Sequence, residues 1–144
     1  MPKIIFFLAV IILLSGCASK PDILSVNLAE HKSLALHIHP FLEIEINGEN
    51  YPIPVNTGIS AAGMRVIHTH DSTGKLHIES PYPHQFYLPD FFKIWGKPFN
   101  QSCIFEYCAN ASHALSVFVN GIEAAEANIP LKDGDRIRVV YGKK

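Results

Sequence analysis

Leu42-Glu43-Ile44-Glu45-Ile46-Asn47-Gly48-Glu49-Asn50-Tyr51-Pro52-Ile53-Pro54-Val55 is the stretch that decides the fold class. Apolar and acidic residues alternate from Leu42 to Ile46, the period of a strand with one buried face. Asn47-Gly48 is the pair preferred in a type I′ hairpin turn, where both central residues need a positive φ. Such a turn sets Ile46 opposite Glu49, Ile44 opposite Tyr51 and Leu42 opposite Ile53. Leu42, Ile44, Ile46, Tyr51, Ile53 and Val55 then share one face, with Glu43, Glu45 and Asn50 on the other. A one-residue slip would turn every apolar side chain outward, so pattern and turn support a single register. Pro52 and Pro54 have no N–H to donate, which predicts a returning strand at a sheet edge.

Upstream of this hairpin, the strand extends through His37-Ile38-His39, with a kink expected at Pro40. The extension adds His37, His39 and Phe41 to the glutamate face. Downstream, Ile59 to Gly63 reads as a loop, and a second hairpin follows over Val66 to Glu79. Its loop length decides its chemistry. A three-residue loop mixes polar and apolar groups on both faces. A four-residue loop, Asp71 to Gly74, pairs His70 with Lys75, Thr69 with Leu76 and His68 with His77. That choice collects Ile67, Thr69, Leu76 and Ile78 on one face and His68, His70, His77 and Glu79 on the other, leaving only Val66 misplaced. Each large apolar side chain buried contributes about 1.5–3 kcal/mol, so the four-residue loop is the expected one.

The remaining chain continues the pattern of short strands. Leu88 to Gly96 reads as one short helix, with proline near its start and glycine just past its end. Cys103 to Cys108, Leu115 to Val119 and Arg136 to Tyr141 have strand composition, punctuated by turns at Asn120-Gly121 and Asp133-Gly134. The expected architecture is mainly β, a small hairpin-rich sheet or barrel with one short helix. The strand–helix–strand order and the closing segments near Val119-Asn120-Gly121 and Leu131 to Asp135 resemble β-grasp domains such as the sulfur-carrier proteins. The tail Tyr141-Gly142-Lys143-Lys144 lacks the diglycine that carriers use, so their function does not transfer.

The chain has 144 residues and a formal net charge of −1. The length suits one domain, and the weak charge gives no basis for nucleic-acid binding. The N-terminus reads differently from the body. A short basic start, Met1-Pro2-Lys3, precedes an apolar run from Ile4 to Leu14, a signal-peptide core too short to span a bilayer. Leu14-Ser15-Gly16-Cys17 resembles the bacterial lipobox. That resemblance implies export, diacylglycerol attachment to the Cys17 thiol, cleavage before it and N-acylation of the new terminus. Two or three acyl chains hold a protein on a membrane where one does not. The implied location is the cell membrane or outer membrane, facing periplasm or exterior. By family rule Ala18, rather than aspartate, favours the outer membrane of a diderm cell. The expected organisation is therefore a signal peptide over 1–16, a lipidated tether over 17–33, on which Ile23 to Val26 could lay a short strand, and a single β-rich domain over 34–142.

Residues two apart on a strand point the same way, so each His-x-His pair offers two imidazoles to one ion. His37, His39, His68, His70 and His77 are the candidate ligands, and nitrogen-rich sites suit zinc and copper(II). Glu43, Asp71 and Glu79 are candidate further ligands or orienting partners, although Asp71 also suits an Asx-turn within its own loop. His31, His84 and His113 are isolated and read as surface residues. His37-Ile38-His39 with Glu43 resembles the His-x-His-x3-Glu core of the first cupin motif. The later glycine stands at 48, two residues early, and no second motif follows. Taken together, His37 to Pro40, Ile53-Pro54, His68 to Asp71 and Asp90-Phe91-Phe92 before Trp95-Gly96 resemble a group of uncharacterised prokaryotic exported or membrane-anchored proteins. That resemblance brings no activity with it.

With Cys17 consumed by lipid, Cys103 and Cys108 remain as an even pair in a disulfide-permissive compartment. In one extended strand their α-carbons would stand roughly 16 Å apart, beyond the reach of about 4.4–6.8 Å that a disulfide needs. Either the segment turns, or the two are free thiols or metal ligands. No Ser-His-Asp order, phosphate loop or paired-carboxylate spacing stands out. The sequence thus favours a lipid-anchored metal-binding protein over an enzyme. A metal-free structural or adaptor lipoprotein and a small cupin-like metalloenzyme are the alternatives, and the sequence names no protein partner.

Overall fold

Pro40 divides one long strand between two sheets. In the computed structural model, which describes residues 22–144, β1 (Leu36–Ile38) stops just before it and β2 (Phe41–Ile46) starts just after it. The chain continues through β3 (Glu49–Asn50), β4 (Ile59–Ser60), β5 (Gly63–Met64), β6 (Ile67–His68) and β7 (His77–Ser80). A single α-helix, α1 (Leu88–Trp95), precedes β8 (Cys103–Ile104), β9 (Tyr107–Cys108), β10 (His113–Val119), β11 (Ile122–Glu123) and β12 (Arg136–Lys143). The mainly β architecture with one short helix is the one the alternation predicts. The lipobox and signal core, including Cys17, lie outside the described residues. Among those residues no helix is long and apolar enough to cross a membrane.

The larger sheet has the order β11-β10-β12-β2-β3, with β12 parallel to β2 and the other neighbours antiparallel. This sheet keeps two edges, so it does not close into a cupin barrel. The first hairpin has the predicted register, Ile46 opposite Glu49, with Asn47 and Gly48 at φ 53° and 85°. Its return strand is the sheet edge, as the prolines require, but the ladder ends with Tyr51 N–H donating to Ile44 O at 2.8 Å. Leu42 therefore does not pair with Ile53. Its N–H donates instead to Gly74 O, and Val55, assigned to the buried face, is 53% exposed.

The smaller sheet, β1-β7-β6, is antiparallel throughout. It is spliced to the larger one at Pro40, whose carbonyl accepts from Leu76 N–H at 2.9 Å. Gly74 makes the splice possible: at φ 82° it lies against Leu42, and a Cβ there would overlap the Leu42 carbonyl oxygen. Leu42, Ile44, Ile67, Leu76, Ile78, Ile137 and Val139 fill one core from both sheets, closed by Phe91 and Phe92 of α1. The helix starts with Tyr87 N–H donating to Asp90 Oδ2 and ends at Gly96, φ 72°, with Lys97 N–H donating to Phe92 O.

Two expectations need correction here. Residues 22–33 do not form a free tether: Ile23–Ser25 and Leu28–Glu30 are 3₁₀ turns rather than a strand, and Leu28 is buried in the core. Cys103 to Cys108 is not one strand but a tight hairpin that reverses at Phe105, φ 54°, bringing the two α-carbons to 4.1 Å in a disulfide.

Candidate metal centre

The histidine hairpin has the register that its apolar face demands, but its ladder stops short of the expected Thr69–Leu76 and His70–Lys75 pairs: Thr69 N–H donates to Thr57 O, Leu76 N–H to Pro40 O, and Lys75 bridges to Phe41. Ile67 pairs with Ile78 and His68 with His77. Ile67, Thr69, Leu76 and Ile78 are all buried on one face, while His68, His70 and His77 gather on the other. On the far side of β7, β1 places His37 opposite Glu79 and Ile38 opposite Ile78, so His39 comes beside His77. The pleat thus sets imidazoles from all three strands on one face. Ring centroids stand 4.6 Å apart for His39 and His77, 4.5 Å for His70 and His77, and 5.5 Å for His68 and His77.

Among the described residues, two groups of three potential ligands result: His37, His39 and His77, and His68, His70 and His77. Within each, the ligand atoms lie within 4.8 Å of one another. Nitrogens bound at about 2.0–2.1 Å to a tetrahedral ion stand about 3.3 Å apart, a closure that small side-chain rotations supply. These histidine groups can hold a metal ion.

His68 distinguishes the second trio. It is fully buried, and its Nδ1–H donates to the Arg65 carbonyl at 2.9 Å. That bond fixes the tautomer, so Nε2 carries a lone pair. Nε2 is buried without a hydrogen-bond partner, the only such side-chain nitrogen or oxygen among the described residues. Leaving a buried acceptor unmade costs about 1–3 kcal/mol, and a bound cation would remove that cost. The sequence did not mark His68 as buried; a strand with one wet face predicts it half exposed. The reason is the turn at 54–58, which lies along β6. Thr69 N–H donates to Thr57 O, Thr57 N–H to Thr69 Oγ1, and Arg65 N–H to Gly58 O. Gly58 sits at φ 80° so close that a Cβ would overlap the Ile67 carbonyl oxygen. Glycine beside Thr57 was the one sequence signal of this approach. Val66, which the alternation had left out of place, is buried as well.

His39, His68 and His77 are biased toward the neutral, ligating form. Burial, then the neighbouring charges of His70, His39 and His68, pushes His77 down to about 4. Burial also lowers His68 and, with Lys75 and His37 beside it, His39.

The proposed carboxylates divide. Glu79 Oε1 lies 3.2 Å from His37 Nε2, an orienting position beside the first trio. Asp71 is in neither trio: its Oδ1 accepts from the backbone N–H and the hydroxyl of Thr73, an Asx-turn that lowers its pKa. Glu43 is also excluded, because the break at Pro40 carries it into the other sheet. There it lines a surface groove of about 340 Å³ with Phe41, Phe118, Arg136 and Arg138, and no histidine borders that groove. The His-x-His-x3-Glu likeness to cupins therefore has no counterpart in three dimensions. His31, His84 and His113 stand apart, each against an aromatic ring: Tyr82, Phe86 and Tyr141.

Comparison with protein-family models, with curated proteins and with solved structures returns no match to this chain. Any function must therefore be argued from the site.

Proposed function

We propose that this chain is a lipid-anchored protein of the cell envelope whose domain binds zinc or copper(II) through His68, His70 and His77. The observation that carries the metal reading is the buried, unpartnered Nε2 of His68, held toward His70 and His77 by the bond from Nδ1 to Arg65. A protein gains nothing in stability from such an atom, whereas a metal ligand requires it. An all-imidazole donor set favours zinc or copper(II) over magnesium or calcium, which take oxygen. His70 is exposed, which keeps the trio open to an incoming ion. The role is to hold the ion and hand it on, without a reaction of its own.

The test is metal titration of the full chain in detergent after chelator treatment. Zinc or copper(II) should bind and raise the melting temperature, and His68→Ala with His70→Ala should abolish that rise. If the intact chain binds neither ion, the reading fails. The anchor rests on the lipobox alone. Cys17→Ala should move the protein from the membrane to the soluble fraction, and continued tight attachment would point to an uncleaved N-terminal helix instead.

A further inference from the structure

We propose that the two histidine trios are successive positions for one ion, and that His77 keeps hold of it as it passes from the outer to the inner position. This rests on the metal-binding reading above. The geometry that carries it is the shared ligand. His77 belongs to both trios, and it stands on β7, the central strand, between β1 with His37 (His39 follows just after it) and β6 with His68. Its ring meets His39 edge-on at 4.6 Å and His70 edge-on at 4.5 Å.

The two positions differ in access. His37 is 51% exposed in its side chain, with its Nε2 3.2 Å from Glu79 Oε1. His68 is fully buried and its free nitrogen has no other partner. The outer trio is thus suited to capture and the inner one to retention.

The step is a ligand exchange. As the His37 and His39 lone pairs leave the ion, those of His70 and His68 replace them, while the bond to His77 persists. The metal keeps its oxidation state and no N–H bond is made or broken. Because a neutral imidazole has one lone-pair nitrogen, the shared His77 makes the positions exclusive, and a saturated chain holds one ion.

Zinc and the chelator-treated full chain in detergent provide the test. Native mass spectrometry should find one zinc per chain at saturation. Loading is followed by stopped flow, as transfer from a chromophoric zinc indicator, and release as transfer to EDTA. The His37→Ala, His39→Ala double variant should keep the single zinc with an affinity near that of the native chain. Both its loading and its release should slow by about tenfold, a matched change that reflects a barrier rather than a lost binding site. His37→Gln with His39→Gln should behave the same way and covers the case in which alanine loosens β1. Unchanged rates in both variants, or two zinc ions per native chain, would overturn the relay and leave metal binding standing. No zinc on the native chain would remove both.

Discussion

On the larger sheet, exposed Arg136 and Arg138 alternate with buried Ile137 and Val139, and their guanidinium groups lie 5.3 Å and 5.2 Å from the ring centres of Phe41 and Phe118. On the smaller sheet, the same alternation buries Ile67 and Ile78 but places His68 on the opposite face, and His68 is buried as well. The first sheet follows the ordinary rule that the face turned from the core meets solvent. The second departs from it with an ionisable side chain left one bond short. Departures of that kind cost stability and persist where a site needs them.

The largest test of this contrast asks whether the sheets share one core. Ile78→Ala in the smaller sheet and Ile137→Ala in the larger should each cost about 2–5 kcal/mol in denaturant unfolding, with a single transition. A separate early transition for Ile78→Ala would make the histidine sheet an independent, weaker unit. The contrast also has a pH signature. His77 has its pKa pushed from 6.5 down to about 4 in the fold, and His39 and His68 move the same way. The unfolded chain therefore takes up protons that the fold refuses. Stability of the metal-free protein should be full above about pH 6.5 and fall as the pH drops toward 4. Thermal melts across that window check it, and His77→Gln should flatten the fall; a slope unaffected by that change would place the titration elsewhere. Zinc affinity, for the same reason, should be nearly constant above pH 7 and decline in acid.

A smaller effect, and the sharpest, concerns His68 alone. His68→Leu removes the orphan nitrogen while keeping bulk, but it also removes the donor to the Arg65 carbonyl, so the metal-free protein should keep its stability within about 1 kcal/mol while its stabilisation by zinc falls. A loss well beyond that, with the zinc response unchanged, would mean that His68 serves the fold rather than an ion. Smallest of all, Glu43→Ala should leave zinc affinity unchanged within about twofold, because the other sheet carries it away from the ions. A larger loss in the same titration would mean that the groove and the histidines communicate.

What the sequence disclosed follows from the reach of each signal. The Asn47-Gly48 turn and the Ile67, Thr69, Leu76, Ile78 face are local patterns, and each determined a register that the structure reproduces. Tyr87 to Gly96 carried proline and glycine at the positions where a short helix begins and ends. The pairing of β1 with β7, which brings His37 and His39 to His77, is non-local and leaves no mark in the spacing of either segment. Glu43 was misassigned because alternation continues through Pro40 on paper, whereas the chain changes sheets there. The turn between the cysteines stayed one of several alternatives because Phe105, not a glycine or asparagine, takes the positive φ there. Burial of His68 depends on a loop from elsewhere in the chain, which no strand pattern reports.

The splice at Pro40 has a consequence for how long a bound ion would stay. The amide of Leu42 donates to Gly74 and that of Leu76 to Pro40, so the two backbone bonds that close the histidine hairpin onto β2 belong to the junction of both sheets. Segments tied at such a junction open together, and their amides exchange with solvent only when the larger unit opens. Leu42 and Leu76 should be among the slowest-exchanging amides of the chain. Freeing His68 by backbone opening would then require breaking the unit that holds the whole domain, whereas His37, on the edge strand β1, is free of that constraint.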